Sequence, residues 1–351
     1  MSGARSLLAL RRNGAGTLDW TDVVTYAWLA LGVVLMFGPV LWLALSSFKT
    51  PAALLEFPPA LLPVTTQTAI VQGYEQPLEL YDVRLPDGPT KRMAQARRVG
   101  LQATMVDPAD PKQVIRAPLD ARTPVRRVDF AVSNYVEPLR VFDFARYFGN
   151  SVFVTLVATA LTLLINSMAA FALAIYDFRG KGAALGLTIG ALMFPITILL
   201  APVFLVVSTL GLNNSLWAVI LPGAATPTGV FLLRQYMLTL PRDLIDAARM
   251  DKASEWRIYA RIVLPLTLPA LAVLAIFSIM WRWNEFLWPL AVLTKSDSYT
   301  LQIGLNAFQG ELQTQWHYLL AMTVVSAAPV IAVFVFLQKF IATGVANTGM
   351  K

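Results

Sequence analysis

The chain has 351 residues, 56% of them hydrophobic and 14% charged, with a formal net charge of +7. Soluble domains carry roughly 25% charge, so too few polar groups remain here to cover the apolar surface in water. That excludes a disordered chain and argues against a soluble enzyme. Cysteine is absent and His317 is the single histidine, which removes disulfides, thiolate chemistry and histidine-rich metal clusters.

A helix needs about 20 mostly apolar residues to cross a hydrocarbon core of about 30 Å. Six stretches qualify, at residues 23–46, 152–176, 184–210, 215–233, 264–293 and 318–340. The first follows Arg5, Arg11 and Arg12 as a signal peptide would, but it is too long for the apolar part of one. Residues 45–49 also make a poor cleavage site, so it reads as a retained helix.

The segment between the first two stretches, residues 50–149, carries twelve basic and eleven acidic residues and has the composition of a water-exposed region. Alternation over 80–84 and 97–105 suggests strands. Pro86-Asp87-Gly88-Pro89 and Asp107-Pro108-Ala109-Asp110-Pro111 are turn signals. This is either a small β-rich external domain over residues 65–129 or a Pro-rich linker without a fold.

The fourth stretch is interrupted by Pro222, Gly223, Pro227 and Gly229. Such breaks survive in a membrane only where neighbouring helices or a wet cavity satisfy the freed backbone groups. Thirteen Lys and Arg residues fall on the side of the two termini and the links after stretches two and four, whereas loops 211–214 and 294–316 carry only Lys295. Both termini are therefore expected in the cytoplasm, and the basic excess is a topology signal that gives no reason to invoke nucleic acid.

An ATP-binding GxxxxGK[ST] loop is missing: at the one Gly-Lys pair, Gly180-Lys181, Gly182 replaces the hydroxyl and Ile175 the first glycine. No GxSxG or HExxH occurs either. Stretches one, two, three, four and six carry no acidic residue in their apolar parts, where a proton-driven carrier usually places its relays. Uphill movement would draw its energy from another chain.

The link after stretch four runs from Leu240 to Pro265. Pro241 suits a first helical position and Asp243 the positive end of a helix dipole. Leu244, Ala247, Ala248 and Asp251 share one face, thin enough for another surface to approach closely. Ser254 can cap a second short helix, 255–261, leading into the membrane. Such a loop is either a solvated connector or a rigid elbow that passes a push to the span. In stretch five, Trp281, Arg282, Trp283, Asn284 and Glu285 combine aromatic faces with an amide and charges. Arg282 and Glu285 are spaced to pair. The cluster is either a sugar-binding surface or part of an outer aromatic belt packing between helices. His317, beside Trp316 and Tyr318, reads as an interfacial residue.

The elbow resembles the EAA motif, roughly EAAxxDGAx8–12IxLPxxxP, of permease subunits in bacterial binding-protein-dependent ABC importers. Asp246-Ala247-Ala248, Asp251, Ala253, Ile262, Leu264-Pro265 and Pro269 fall at matching positions. The likeness runs from about Asn134 to the C-terminus, plus the first helix. It is to the sugar-transporting branch, which includes the second permease of the maltose importer. Further matches are Asn134-Tyr135, Asn150-Ser151, Trp283-Asn284, Ser298-Tyr299-Thr300-Leu301, Gly344 and Gly349-Met350-Lys351.

The resemblance implies an all-α membrane protein of the six-helix type I importer permease fold (MetI-like), with the partly β insert added between helices one and two. Its parts would be residues 1–49 (N-terminus and first helix), 50–149 (insert), 150–341 (permease core with coupling loop 240–263) and 342–351 (tail). It implies a multi-pass protein in the lipid of the bacterial inner membrane. Its partners would be a homologous permease, two cytoplasmic ATPase subunits and an extracytoplasmic solute-binding protein. ATP and Mg would be used by the ATPases, with no cofactor on this chain. The solute would be an oligosaccharide, a sugar derivative, a polyol or a glycerol phosphate. In the family the motif's first acidic residue meets a basic group of the ATPase, a role that falls to Asp246. Two positions depart: Asp246 replaces the usual Glu, and Lys252 stands where Gly is usual, making a left-handed turn harder. The other readings are a self-sufficient secondary transporter and an integral-membrane enzyme.

Overall fold

The computed structural model describes residues 20–84, 89–310 and 313–348. Arg5, Arg11, Arg12, the turn residues Pro86, Asp87 and Gly88, and Gly349-Met350-Lys351 lie outside the described residues. The chain forms two compact units, one of residues 1–135 with Gln315–Val324 and one of Val136–Thr314 with Val325–Lys351. The first stretch of this unit runs to Tyr135, and Asn134 and Tyr135 are bound into it. The Asn134 amide donates to the carbonyls of Ser47 and Lys49, each at 2.9 Å, and the Tyr135 hydroxyl lies 2.6 Å from Ser47 Oγ. A buried amide needs such partners, and the chain end of α1 (Trp20–Ser46) supplies them.

Helix α1 buries only Ser46. Its large apolar side chains, Trp28, Leu35, Met36 and Phe37 among them, are exposed around the whole circumference, which suits lipid and not water. The same unit holds two antiparallel sheets built from β1 (Val64–Thr66), β2 (Thr68–Ala69), β3 (Leu78–Arg84), β4 (Thr90–Val99), β5 (Gln102–Val106), β6 (Val114–Pro118), β7 (Arg122–Pro124) and β8 (Arg126–Val128). Six strands run β2-β3-β4-β5-β6 with β7 also on β3, and β1 pairs β8. Successive residues face opposite ways, so the larger sheet buries both faces: Val71, Leu80, Ala94, Val106 and Val125 on one, Val83, Met93, Ala103, Met105 and Ala117 on the other. The alternating run 97–105 is not one strand. Gly100, at φ +60°, reverses the chain between β4 and β5. The Asp107–Pro111 turn is held by Asp107 Oδ1 accepting from the Ala109 N–H at 2.9 Å.

In the second unit, α2 (Phe144–Ile175) buries Ser151, Thr155, Ala158, Thr159, Thr162, Asn166, Ser167 and Ala170 at three- and four-residue spacing. Small and polar side chains turned inward, with Leu156, Leu164 and Ile165 outward, are what helix packing in lipid selects. Thr159 and Ser278 hydroxyls meet at 2.9 Å across this seam. Helices α3 (Lys181–Leu192) and α4 (Ile196–Thr209) meet at 107° around Pro195. The expected fourth span is two short helices, α5 (Leu216–Ile220) and α6 (Pro227–Met237), separated by residues 221–226. The freed backbone at this break is satisfied by Asn166, whose Oδ1 accepts from the Thr226 N–H at 3.0 Å. Its amide donates to Thr226 Oγ1 at 2.7 Å, and Thr226 caps α6.

Then follow α7 (Arg242–Met250), α8 (Glu255–Ile258), a π-helical turn (Tyr259–Val263), α9 (Leu268–Asn284), α10 (Leu287–Val292), α11 (Leu301–Asn306) and α12 (Trp316–Thr348). The expected fifth span is bent by 76° at Thr267, between Pro265 and Pro269, and ends at Asn284. Among the described residues, three helices are continuous and apolar enough to cross a membrane: α1, α2 and the Trp316–Phe336 part of α12. The two bent pairs raise the number to five.

Candidate functional site

The elbow begins at Pro241, whose extended backbone delivers the chain into α7. Asp243 in the first turn and Arg249 in the last both complement the helix dipole. Ile245, 3% exposed, is the one buried residue of this helix. It enters a core of Phe171, Ala174, Met237, Ile258, Tyr259 and Val263. Leu244, Asp246, Ala247 and Met250 are exposed, with Asp251 beyond them, and Ala248 is half-buried. The face expected to be open is therefore open at Leu244, Ala247 and Asp251.

The helix terminates in a Schellman motif. The Ala253 N–H donates to the Ala248 carbonyl and the Lys252 N–H to the Arg249 carbonyl, each at 3.0 Å. Lys252 holds the left-handed position, φ +56°. The sequence departs from glycine here while the backbone keeps the shape glycine would give, at a cost of about 1–2 kcal/mol. Ala253 packs against the core below. Ser254 Oγ accepts from the Arg257 N–H at 3.3 Å and caps α8. The chain then passes through the π-helical turn to Leu264, which packs on the core, and to the exposed Pro265.

One connection in the elbow escaped the sequence. Arg249 Nε donates to Glu255 Oε1 at 3.0 Å and Nη2 to Oε2 at 3.4 Å, while the Tyr176 hydroxyl donates to Oε2 at 2.8 Å. The Arg249 guanidinium, assisted by Tyr176, holds the Glu255 carboxyl below its usual range, and the carboxylate in turn raises Arg249. Arg249 also lies 3.9 Å from Asp246. A spacing of six between Arg249 and Glu255 matches no helical face, so only the turn at Lys252 brings them together.

The aromatic cluster divides. Arg282 and Glu285 do not pair. Arg282 donates to the Gly223 carbonyl in the 221–226 break, while Glu285 accepts from the Trp281 indole at 2.7 Å and the Trp288 N–H at 3.3 Å. A carboxylate able to cap the corner into α10 is better satisfied there than one turn back along α9. Trp283, 5% exposed, donates its indole N–H to the Ser326 carbonyl at 2.9 Å and stacks edge-on to Phe148, so it is a packing residue. Asn284 donates to the Met280 carbonyl at 2.8 Å. Trp281, Asn284, Glu285, Phe286 and Leu287 line a shallow open hollow. Asn150 and Ser151 bind the 297–301 segment. The Asn150 amide donates to the carbonyls of Asp297 and Tyr299 at 3.1 and 2.9 Å, and Ser151 Oγ accepts from the Leu301 N–H at 2.8 Å.

Residues 166–347 match the family described as binding-protein-dependent transport system inner membrane component. The arabinooligosaccharides transport system permease protein AraQ of Halalkalibacterium halodurans is 42% identical over 205 residues, covering 58% of this chain and 74% of that protein. The alpha-glucoside transport system permease protein AglG of Rhizobium meliloti is 32% identical, covering 66% of this chain and 62% of its own length. The sn-glycerol-3-phosphate transport system permease protein UgpE of Rhizobium meliloti is 30% identical, covering 62% and 78%. A chain in the crystal structure of a bacterial ABC transporter that imports the acidic polysaccharide alginate superposes with a TM-score of 0.64. It covers 93% of this chain and 99% of its own length at 20% identity, a likeness of fold.

Proposed function

The chain belongs to the family of binding-protein-dependent transport system inner membrane components, and from that premise we propose that it is one of two permease subunits of an ATP-driven carbohydrate importer in the bacterial cytoplasmic membrane. The observation that carries this reading is the elbow. A nine-residue helix is seated by Ile245 with Ala248 beside it, and it presents Leu244, Asp246 and Ala247 outward with Asp251 exposed just beyond its end. It is joined through the π-helical turn to a bent span. One of two cytoplasmic ATPase subunits would bind there, Asp246 facing a cation, and the pair would use the ATP and Mg; a homologous permease and an extracytoplasmic solute-binding protein complete the assembly. Movement of the elbow would rock the two permeases around a central cavity.

Six crossings follow if α1, α2, α3–α4, α5–α6, α9–α10 and α12 each count once, with both termini in the cytoplasm and residues 50–149 outside. The carbohydrate class rests on the relatives, which handle arabinooligosaccharides, alpha-glucosides and glycerol 3-phosphate. The hollow beside Trp281 is the surface proposed for a sugar ring on this subunit, with Asn284 and Glu285 as polar partners. Arg97, Thr104 and Arg116 stand in one cross-strand row on the insert and line a polar hollow, a basic face for the binding protein.

The test is co-purification with the cognate ATPase followed by ATP-driven uptake in proteoliposomes, comparing wild type with Asp246→Lys. Uptake lost while the variant still reaches the membrane supports coupling through the elbow. Full transport by that variant removes the assignment, and uptake by the purified chain without any ATPase establishes a secondary carrier instead.

A further inference from the structure

The Glu255 carboxylate stands where three elements meet: the last turn of α7 through Arg249, the first turn of α8, and Tyr176 just past the end of α2. We propose that Glu255 is a positioning residue for coupling, a strut that carries displacement of α7 to the foot of α2. The proposal rests on the reading of α7 as the ATPase contact.

The mechanical argument starts from what else holds α7. Its seat is apolar: Ile245 is buried in the core and the half-buried Ala248 packs against it. Apolar contact has no directional preference, so a short helix seated by Ile245 and Ala248 gains little orientation from that contact. Hydrogen bonds are directional, and the Arg249–Glu255 pair adds two of them on the side of α7 nearest the membrane helices. The row begins at exposed Asp246, 3.9 Å from Arg249, and ends at Tyr176. A force applied at Asp246 therefore has a polar route to α2.

A second link makes that route effective. The Tyr259 hydroxyl in the π-helical turn meets Ser167 Oγ of α2 at 2.8 Å, buried. Ser167 and Tyr176 are separated by about 13 Å along the chain at 1.5 Å per residue. The elbow thus grips α2 at two heights, and a two-point grip transmits tilt as well as translation. Without Glu255 the directional grip at the lower point is lost, leaving the Tyr259–Ser167 bond and non-directional apolar contact with Phe171 and Ala174, so motion of α7 turns α2 less.

The opposing view is an incidental surface ion pair. Side-chain exposures of 38% for Arg249 and 45% for Glu255 make the pair a small contributor to stability under either view. Melting and coupling should therefore separate. The experiment uses the full complex in proteoliposomes and measures solute imported per ATP hydrolysed, melting temperature and ATPase co-purification for wild type, Glu255→Ala, Glu255→Gln and Tyr176→Phe. The expected result is a several-fold lower transport ratio in Glu255→Ala, a smaller fall in Tyr176→Phe, and partial recovery in Glu255→Gln, which still accepts from Tyr176. Melting and co-purification stay as in wild type. A wild-type ratio in Glu255→Ala overturns the strut alone, as does a loss of ratio that only follows a fall in melting temperature. Failure of wild type to retain any ATPase overturns the functional reading and the strut together.

Discussion

The guanidinium of Arg282 occupies the space that a side chain on residue 223 would fill, and it donates to the carbonyl of that residue. Gly223 thus leaves room for the Arg282 guanidinium, and no positive φ is recorded for it. Gly223→Ala displaces the guanidinium from its acceptor and should destabilise the protein by about 0.5–1.5 kcal/mol, the net worth of the hydrogen bond. In an Arg282→Met background the same change should cost less, because the two positions touch. Thermal melting of the four variants in detergent reads this, and equal costs in both backgrounds would contradict it.

Lys252 holds a left-handed conformation that costs roughly 1–2 kcal/mol for a residue with a Cβ. Lys252→Gly removes that strain but returns about 0.5–1 kcal/mol through the greater freedom of the unfolded chain. A small rise in melting temperature with unchanged transport is expected. Lys252→Val should lower it, since a β-branched side chain fits this region worst.

Asn166 is fully buried and closes the break before α6 with both ends of its amide. Asn166→Leu leaves the Thr226 N–H without a partner in a membrane segment, while the Thr226 hydroxyl keeps the Gly229 N–H. About 1–3 kcal/mol of destabilisation is expected for a buried polar group left unpaired. Asn166→Gln, with the same groups displaced by one methylene, should fall between. Melting temperature and yield of folded protein report the order.

Glu255 titrates below its usual value because Arg249 and Tyr176 stabilise its charged form. A depressed carboxylate contributes above the ordinary value, about 4.3, and loses that contribution as pH falls through the lowered one. The transport ratio of wild type relative to Glu255→Gln should stay constant from neutral pH to about 4.3 and converge on one below it. Convergence beginning near neutrality would show that Glu255 is not held in its charged form.

Arg97→Glu with Arg116→Glu reverses the charge of the basic row on the insert while leaving the buried strand residues untouched. Stimulation of ATP hydrolysis by the binding protein should fall and its salt dependence should weaken, with basal hydrolysis unchanged. Stimulation equal to wild type would place the binding protein elsewhere.

The sequence was most readable where one local rule governs. The apolar runs at 23–46, 152–176 and 318–340 fall on α1, α2 and α12, because spanning lipid imposes length and hydropathy together. Ser254 was legible as a cap, since its acceptor role depends on the next three residues only. The fourth and fifth stretches were not, because whether a proline bends or breaks a span depends on distant donors such as Asn166. The Arg282–Glu285 pairing suggested by spacing lost to Gly223 and Trp281, partners set by packing. Glu255 and Tyr176 were invisible for the same reason. Their meeting depends on a left-handed lysine that composition gives no cause to expect.

Ser151 and Leu301 are bonded across 150 positions of chain, and this has a bearing on biogenesis. As the ribosome feeds the polypeptide forward, the upper end of α2 enters the bilayer long before its acceptor for the Leu301 amide has anything to receive. Asn150 waits in the same way for Asp297 and Tyr299. The clasp can close only after residues 297–301 have been made, so this end of α2 is completed late in synthesis. A truncated nascent chain ending before residue 297 should remain prone to quality-control proteolysis even though α2 is already in place.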